Sequence, residues 1–203
     1  MEQEGTDLAA TVNSPPRRGN VTLGIGPGQL SSFFPLLQRG VVVPAMLGGP
    51  LKELLTKQFG IPEEYVTGRI TTIFLDNHPV DDLERSLIHE GSRVTLSAAM
   101  PGLVGAMMRR SGILATLRQG ISHAEQGDDL GTGQGTLKLK LFNLLLAEIG
   151  PLVLARGILL QRNELDGLFG GGDPLGRDCI TAWDLCEPDA GDAILLRVNV
   201  REV

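Results

Sequence analysis

Pro35-Leu36-Leu37-Gln38-Arg39-Gly40-Val41-Val42-Val43 returns later in the chain as Pro151-Leu152-Val153-Leu154-Ala155-Arg156-Gly157-Ile158-Leu159-Leu160. Both stretches set a proline ahead of aliphatic residues, close on Arg-Gly and pass into an aliphatic triplet. A glycine after a helical turn takes the left-handed conformation that ends a helix, and an arginine just before it lies near the helix's negative end. The triplet then begins a strand. Arg39-Gly40 and Arg156-Gly157 therefore mark one helix-to-strand junction twice, and a duplicated chain is the architecture to expect.

The neighbours of each junction repeat as well. Upstream, Val21-Thr22-Leu23-Gly24-Ile25 and Leu137-Lys138-Leu139-Lys140-Leu141 alternate apolar residues with small or polar ones, as half-buried strands do. Leu141, Leu144, Leu145, Ile149, Leu152 and Val153 follow helical spacing, with Pro151 breaking and restarting the helix. Downstream, Pro50 opens a helix over Leu51 to Phe59 and Gly60 closes it; its counterpart is Asn163 to Phe169. Ile70 to Leu75 reads as a strand that enters the turn Asp76-Asn77-His78-Pro79, and Cys179 to Trp183 fills the same place after Gly170-Gly171-Gly172-Asp173-Pro174. Each half ends on a strand behind a glycine turn, Gly91 to Leu96 and Gly191 to Leu196.

These elements predict an α+β protein of two tandem ubiquitin-like β-grasp-type modules. Residues 1–19 are expected as a flexible tail, 20–102 as the first module, 103–135 as a helical segment and linker, and 136–203 as a second, shorter module. The helix of the connecting segment is expected over Leu103 to Gln119 and the linker over Gly120 to Gly135.

Composition narrows function by exclusion. A net charge of -6 leaves no basic excess from which phosphate binding draws its affinity, and aromatic residues at 4% leave few stacking platforms. Nucleic acid is not an expected partner. The uncharged stretch Val94 to Met108 is too short and too broken by Pro101 and glycines for a membrane span. Met1 to Arg18 has no apolar run of the kind a signal peptide needs, and two cysteines make no disulfide framework, so a reducing cytoplasmic location is expected.

Ile73-Phe74-Leu75-Asp76-Asn77-His78-Pro79-Val80-Asp81-Asp82, then Leu87 to Leu96, then Met100-Pro101-Gly102, resembles the last third of the sulfur-carrier family. That family comprises the molybdopterin synthase small subunit and the thiamine sulfur carrier, both β-grasp proteins. The resemblance spans roughly residues 70–102 and implies a β-grasp fold that binds protein partners through its sheet. It departs where the family's chemistry sits. Sulfur carriers work through a free C-terminal Gly-Gly carboxylate, whereas here Gly102 runs on into Leu103-Val104-Gly105. Without cleavage there is no carboxylate to activate.

No catalytic constellation emerges, and neither a metal nor a cofactor is expected. Cys179 and Cys186 have neither redox-pair nor metal-ligand spacing and read as packed small residues. His78 and His89 stand near Asp76, Asp81 and Asp82, but turn and helix-start roles explain the same residues; His123 falls in the linker. Gly24-Ile25-Gly26-Pro27-Gly28 lacks dinucleotide-loop spacing, and no Walker lysine follows it or Gly170-Gly171-Gly172. The candidate partner-binding residues are Met100, Pro101, Gly102, Met107, Met108, Arg109 and Arg110: methionines adapt to varied surfaces and adjacent arginines anchor carboxylates. The alternative for that segment is a packed helix between modules. A non-catalytic interaction or assembly protein is the leading expectation, bound to a protein partner or to itself through strand edges. A sulfur-carrier-derived protein of molybdenum-cofactor or sulfur metabolism comes second, and a thiol enzyme using Cys179 or Cys186 third.

Overall fold

The alternation in Leu137-Lys138-Leu139-Lys140-Leu141 commits one side of a strand to the interior, and all three leucines are buried. Val41, Val43 and Ala45 do the same on a second strand and pair with them directly, Val41 opposite Leu139 and Val43 opposite Leu137. In the computed structural model, residues 17–110, 112–114, 132–170, 175–185 and 193–201 are described. Their strands are β1 (Arg17–Ile25), β2 (Val41–Leu47), β3 (Thr72–Leu75), β4 (His78–Pro79), β5 (Arg93–Ser97), β6 (Gly133–Phe142), β7 (Ile158–Leu160), β8 (Ile180–Leu185) and β9 (Ala193–Val200). All nine join one mixed sheet in the order β4-β3-β5-β6-β2-β7-β9-β1-β8.

The helices are short and follow the prolines. A 3₁₀ turn, Pro27–Phe33, leads into α1 (Phe34–Arg39), which has Pro35 in its first turn. After β2, α2 (Leu51–Glu53) runs on through a wide turn, Leu54–Gln58, closed when the Phe59 N–H donates to the Leu54 carbonyl at 3.0 Å. Next come α3 (Glu63–Gly68) and, beyond β5, α4 (Gly102–Met108). In the second half α5 (Leu145–Glu148) stops where α6 (Gly150–Arg156) restarts around Pro151, and α7 (Arg162–Leu168) follows β7. Side chains of α1, α2, α5, α6 and α7 share a single buried cluster with one face of the sheet. On the other face Leu159, Ala193 and Leu195 form a small separate cluster beside Val42, and Lys138 stands next to Arg93 on the adjoining strand.

The α+β class holds, and the two halves repeat the expected order of strands and helices, but the sheet does not divide at the connecting segment. The first strand of each half lies among strands of the other: β6 sits between β5 and β2, while β1 sits between β9 and β8. Every strand of the second half runs opposite to its counterpart in the first, as the ladders β2–β7 antiparallel, β5–β6 parallel and β9–β1 parallel require. The correspondence fails in one place. β6 is the neighbour of β2, but β9 rather than β1 is the neighbour of β7. Periodicity sets which face of a strand is buried and leaves its neighbour open, so this exchange has no local signal.

Three further boundaries move. Within the helix expected over Leu103 to Gln119, α4 ends at Met108, where Arg109 turns to an extended conformation (φ -68°, ψ 129°); residues 111 and 115–119 lie outside the described residues. Gly133 and Gly135, expected in the linker, belong to β6, where Gly135 pairs with Ala45. The tail expected over 1–19 gives way to β1 at Arg17, and residues 1–16 lie outside the described residues.

The repeated Arg-Gly junctions match closely. Gly40 has φ 104° and ψ 126°, Gly157 φ 116° and ψ 141°, a region that L side chains avoid. Each N–H donates back to its helix, Gly40 to the Leu36 carbonyl at 2.9 Å and Gly157 to the Val153 carbonyl at 3.2 Å. Each glycine also lies under a neighbour's side chain: a Cβ at Gly40 would come within 2.7 Å of the Lys138 stem, and one at Gly157 within 2.8 Å of Leu195. The arginines then reach across the chain's midpoint in both directions. Arg39 pairs with Glu164 of α7. Arg156 donates to the Gln58 carbonyl at 2.6 Å and lies over the Phe59 ring, 5.6 Å from its centre. Each half's junction thus grips the other half's following helix.

Because both glycines combine backbone strain with crowding, Gly40→Ala and Gly157→Ala are each expected to cost about 1–3 kcal/mol. Urea unfolding measures this, with Gly167→Ala as control: that glycine lies in α7 with nothing near its missing Cβ, so alanine there should be neutral or stabilising.

Candidate interaction site

The segment singled out in the sequence begins where β5 leaves the sheet. Ser97 Oγ donates to the Ala99 carbonyl at 3.0 Å, and Thr71 Oγ1 donates to the Ala98 carbonyl at 2.8 Å. Asn143, in the left-handed conformation at φ 58°, donates its amide to Ser97 Oγ at 3.1 Å and also to the Ala99 carbonyl. Hydroxyls and an amide therefore satisfy the chain where the ladder no longer does. Met100 and Pro101 are exposed, and Gly102 takes φ 76° to turn the chain into α4.

Gly105 decides how α4 lies. It is buried against the preceding loop, and a Cβ there would fall 1.9 Å from the Met100 carbonyl oxygen. That contact rolls Met107 and Met108 to half-buried positions and turns Leu103 and Val104 outward, 71% and 60% exposed. The exposed apolar surface of the segment is thus Met100, Leu103 and Val104, joined further along by Ile113. Sequence reasoning chose the methionines by residue type and passed over Leu103 and Val104, because the tight glycine contact that sets the roll of the helix is tertiary.

Beyond α4 the chain is fastened to the first half. The Arg110 N–H donates to the Thr71 carbonyl at 2.7 Å, and Arg110 Nη1 reaches the Val66 carbonyl at 3.5 Å. Arg110 is half-buried, its Nε is shut from solvent without a hydrogen-bond partner, and burial pushes its pKa down while the field of Asp81 acts against that shift. A cleft of about 620 Å³ opens here between Thr67, Ile70 and Thr71 on one side and Ala106, Arg110 and Ile113 on the other. A smaller one, about 250 Å³, lies under α4 beside Ala98, Ala99 and Gly105. Of the segment, Met100 to Val104, Ala106 and Arg109 are exposed, Met107, Met108 and Arg110 are half-buried, and Gly105 is buried.

The other candidates are committed elsewhere. Asp76 accepts from the Arg93 N–H at 2.7 Å and from Ser92 Oγ at 3.2 Å, serving the turn and not an ion. Among the described residues no three His, Cys, Asp or Glu side chains come together as a metal site would need. Cys179 is buried and accepts from the Gln29 amide at 3.4 Å; Cys186, His123, Gly171, Gly172, Asp173 and Pro174 lie outside the described residues. The Gly26 N–H, which an anion loop would have to offer, already donates to Gln29 Oε1 at 2.9 Å. No helix among the described residues is long and apolar enough to cross a membrane.

A third group ties the halves together without entering a cleft. Arg69 donates to both Glu148 carboxylate oxygens, and Tyr65 donates its hydroxyl to the same carboxylate, joining α3 to α5. The hydrogen bonds from Arg69, then from Tyr65, bring the Glu148 carboxyl down to about 2. Burial, then the hydrogen bond to Glu148, raises the Tyr65 phenol well above its usual range. No family model, curated protein or solved structure matches this chain.

Two outcomes follow from this geometry. Gly105→Ala must lift α4 from the Met100 backbone, a cost of about 1–3 kcal/mol. Hydrogen exchange over 102–108 should quicken by roughly tenfold or more, while amides of β2 and β6 keep their protection. For the Glu148 group, a depressed folded pKa means that its stabilisation is present above the unfolded value of about 4.3 and disappears as pH falls toward 2. The urea midpoint of the native chain should accordingly drop across that interval more steeply than that of Glu148→Gln.

Proposed function

We propose that the chain is a non-catalytic protein-interaction or assembly module built on β-grasp-like repeats, and that it binds its partner through the segment from Met100 to Arg110. The observation that carries this reading is the pair Leu103 and Val104. Two large aliphatic side chains stand in solvent on a helix held at both ends by specific backbone hydrogen bonds. Scattered exposed leucines are ordinary, but successive exposed aliphatic residues on a rigidly mounted helix that itself lines two clefts are the form of a binding surface. The strand order β4-β3-β5-β6-β2 supports the β-grasp part, since β5 and β6 form a central parallel pair with antiparallel strands on both sides, β6 standing where a module's own first strand belongs.

The sulfur-carrier-derived alternative has one observation in its favour. Residues resembling that family form β3, the turn at Asp76-Asn77 and β5, and Met100-Pro101-Gly102 leaves the sheet into solvent where a carrier's tail would. Processing after Gly102 would supply the carboxylate that the intact chain lacks. Intact mass of the protein from its native host separates the two readings: a full-length species argues for the interaction module, and a fragment ending at Gly102 argues for the carrier.

The leading reading is tested by replacing both aliphatic residues. The double variant Leu103→Ser, Val104→Ser should keep the native melting temperature and lose about tenfold or more in capture of its partner from native extract, as loss of a central apolar anchor does. Undiminished capture would remove the segment from the interface.

A further inference from the structure

Arg110 is one of two arginines among the described residues whose Nε is shut from solvent without a hydrogen-bond partner. Arg39, Lys52, Lys57, Arg69, Arg85 and Arg162 each have a carboxylate within salt-bridge distance. Arg156, the other arginine with a sheltered Nε, has a 2.6 Å hydrogen bond and an aromatic face. The Arg110 guanidinium has one long contact, at 3.5 Å to the Val66 carbonyl, and no carboxylate within salt-bridge distance among the described residues, Asp81 acting on it only through its field. A half-buried guanidinium left so poorly compensated is costly, and its planar fork suits a carboxylate bound through two parallel hydrogen bonds. The clefts on its two sides differ in charge. One, about 430 Å³, is lined by Glu63, Asp81, Asp82 and Glu84, with Lys52 bridging Glu63 and Glu84, and its excess of acids disfavours an anion. The other, about 620 Å³, has no acid among its described lining residues; Arg109 and Arg110 are its charged groups, Ile113 is an apolar wall, and the Thr67 and Thr71 hydroxyls already donate to the Glu63 and Ala98 carbonyls.

We propose that this second cleft receives an Asp or Glu side chain from an acidic segment of the partner protein, with Arg110 as the residue that selects for it and Leu103 and Val104 holding an adjacent aliphatic residue. The inference rests on the interaction reading above and adds the chemistry of what is bound. Specificity here comes from charge: a neutral segment would leave the guanidinium desolvated and unpaired, while an acidic one completes it.

Random peptides displayed with both ends joined to a scaffold are selected on the full chain, and the best are synthesised with blocked termini. The expected pool is enriched in Asp or Glu beside an aliphatic residue. Such a peptide should bind at least tenfold more weakly to Arg110→Met, lose as much when its own Glu becomes Gln, and lose less than a further twofold when both changes are combined. Arg110→Lys should recover part of the loss. The melting temperature of Arg110→Met should equal or exceed that of the native chain, because an uncompensated charge is removed. Acid-free peptides that still require Leu103, or acidic peptides indifferent to Arg110→Met, overturn the inference and leave the interaction reading standing. A melting temperature lowered by several degrees in Arg110→Met also overturns it, since the guanidinium would then serve the fold. Failure to select any peptide sinks the interaction reading and this inference together.

Discussion

The ladder between β2 and β6 is the constraint on which the remainder of the molecule rests. Seven residue pairs, from Val41 opposite Leu139 to Leu47 opposite Gly133, join a strand of the first half to the opening strand of the second. With β6 in that position, β5 has a parallel neighbour, β3 and β4 have a sheet to extend, and β7 can close against β2. Without it, the apolar faces of β2 and β5 would both lose the wall they pack beside. The same arrangement merges the interiors: Leu37 of α1 and Leu145 of α5 belong to one buried cluster, and α6 approaches α1 so closely that a Cβ at Gly150 would lie 3.1 Å from Leu37. Two modest sets of elements, each too small for a large core, thereby bury one common interior.

The candidate site is a by-product of that arrangement. β5 and β6 run parallel, so the chain leaving β5 must travel back the length of the sheet before it can enter β6. α4 is the first part of that return. Asn143, at the far end of β6, fastens the start of this connection through Ser97 and Ala99, and Thr71 fastens it from the side of β3. An exposed helix held by both halves presents a fixed apolar surface, with little ordering left to be done when something binds.

Elements were legible in the sequence where a residue type acts through its own backbone. Gly40 and Gly157 stop their helices because their φ is positive, Pro151 divides α5 from α6, and Asp76-Asn77 turn the chain at positive φ. Alternation likewise identified the buried leucines of β6. Neighbour relations were not legible. The pattern of β1 is satisfied by any strand that offers an apolar face, and nothing in Val21 to Ile25 distinguishes β9 and β8 from β2 as partners. Within the candidate site, Met100 to Arg110 was singled out as a segment, but which of its side chains face solvent depends on Gly105 meeting the Met100 carbonyl, and the sheltered Nε of Arg110 depends on tertiary surroundings.

The position of β1 has a consequence for how the protein comes into being at the ribosome. Its hydrogen-bonding partners are β8 and β9, which begin only at Ile180 and Ala193, so β1 waits for the intervening chain before its backbone groups are satisfied. Closing so long a loop makes late, slow assembly the rule for such topologies. In the interval Val21, Leu23 and Ile25 form an unpaired apolar ribbon, a template for wrong partners until β8 and β9 have emerged.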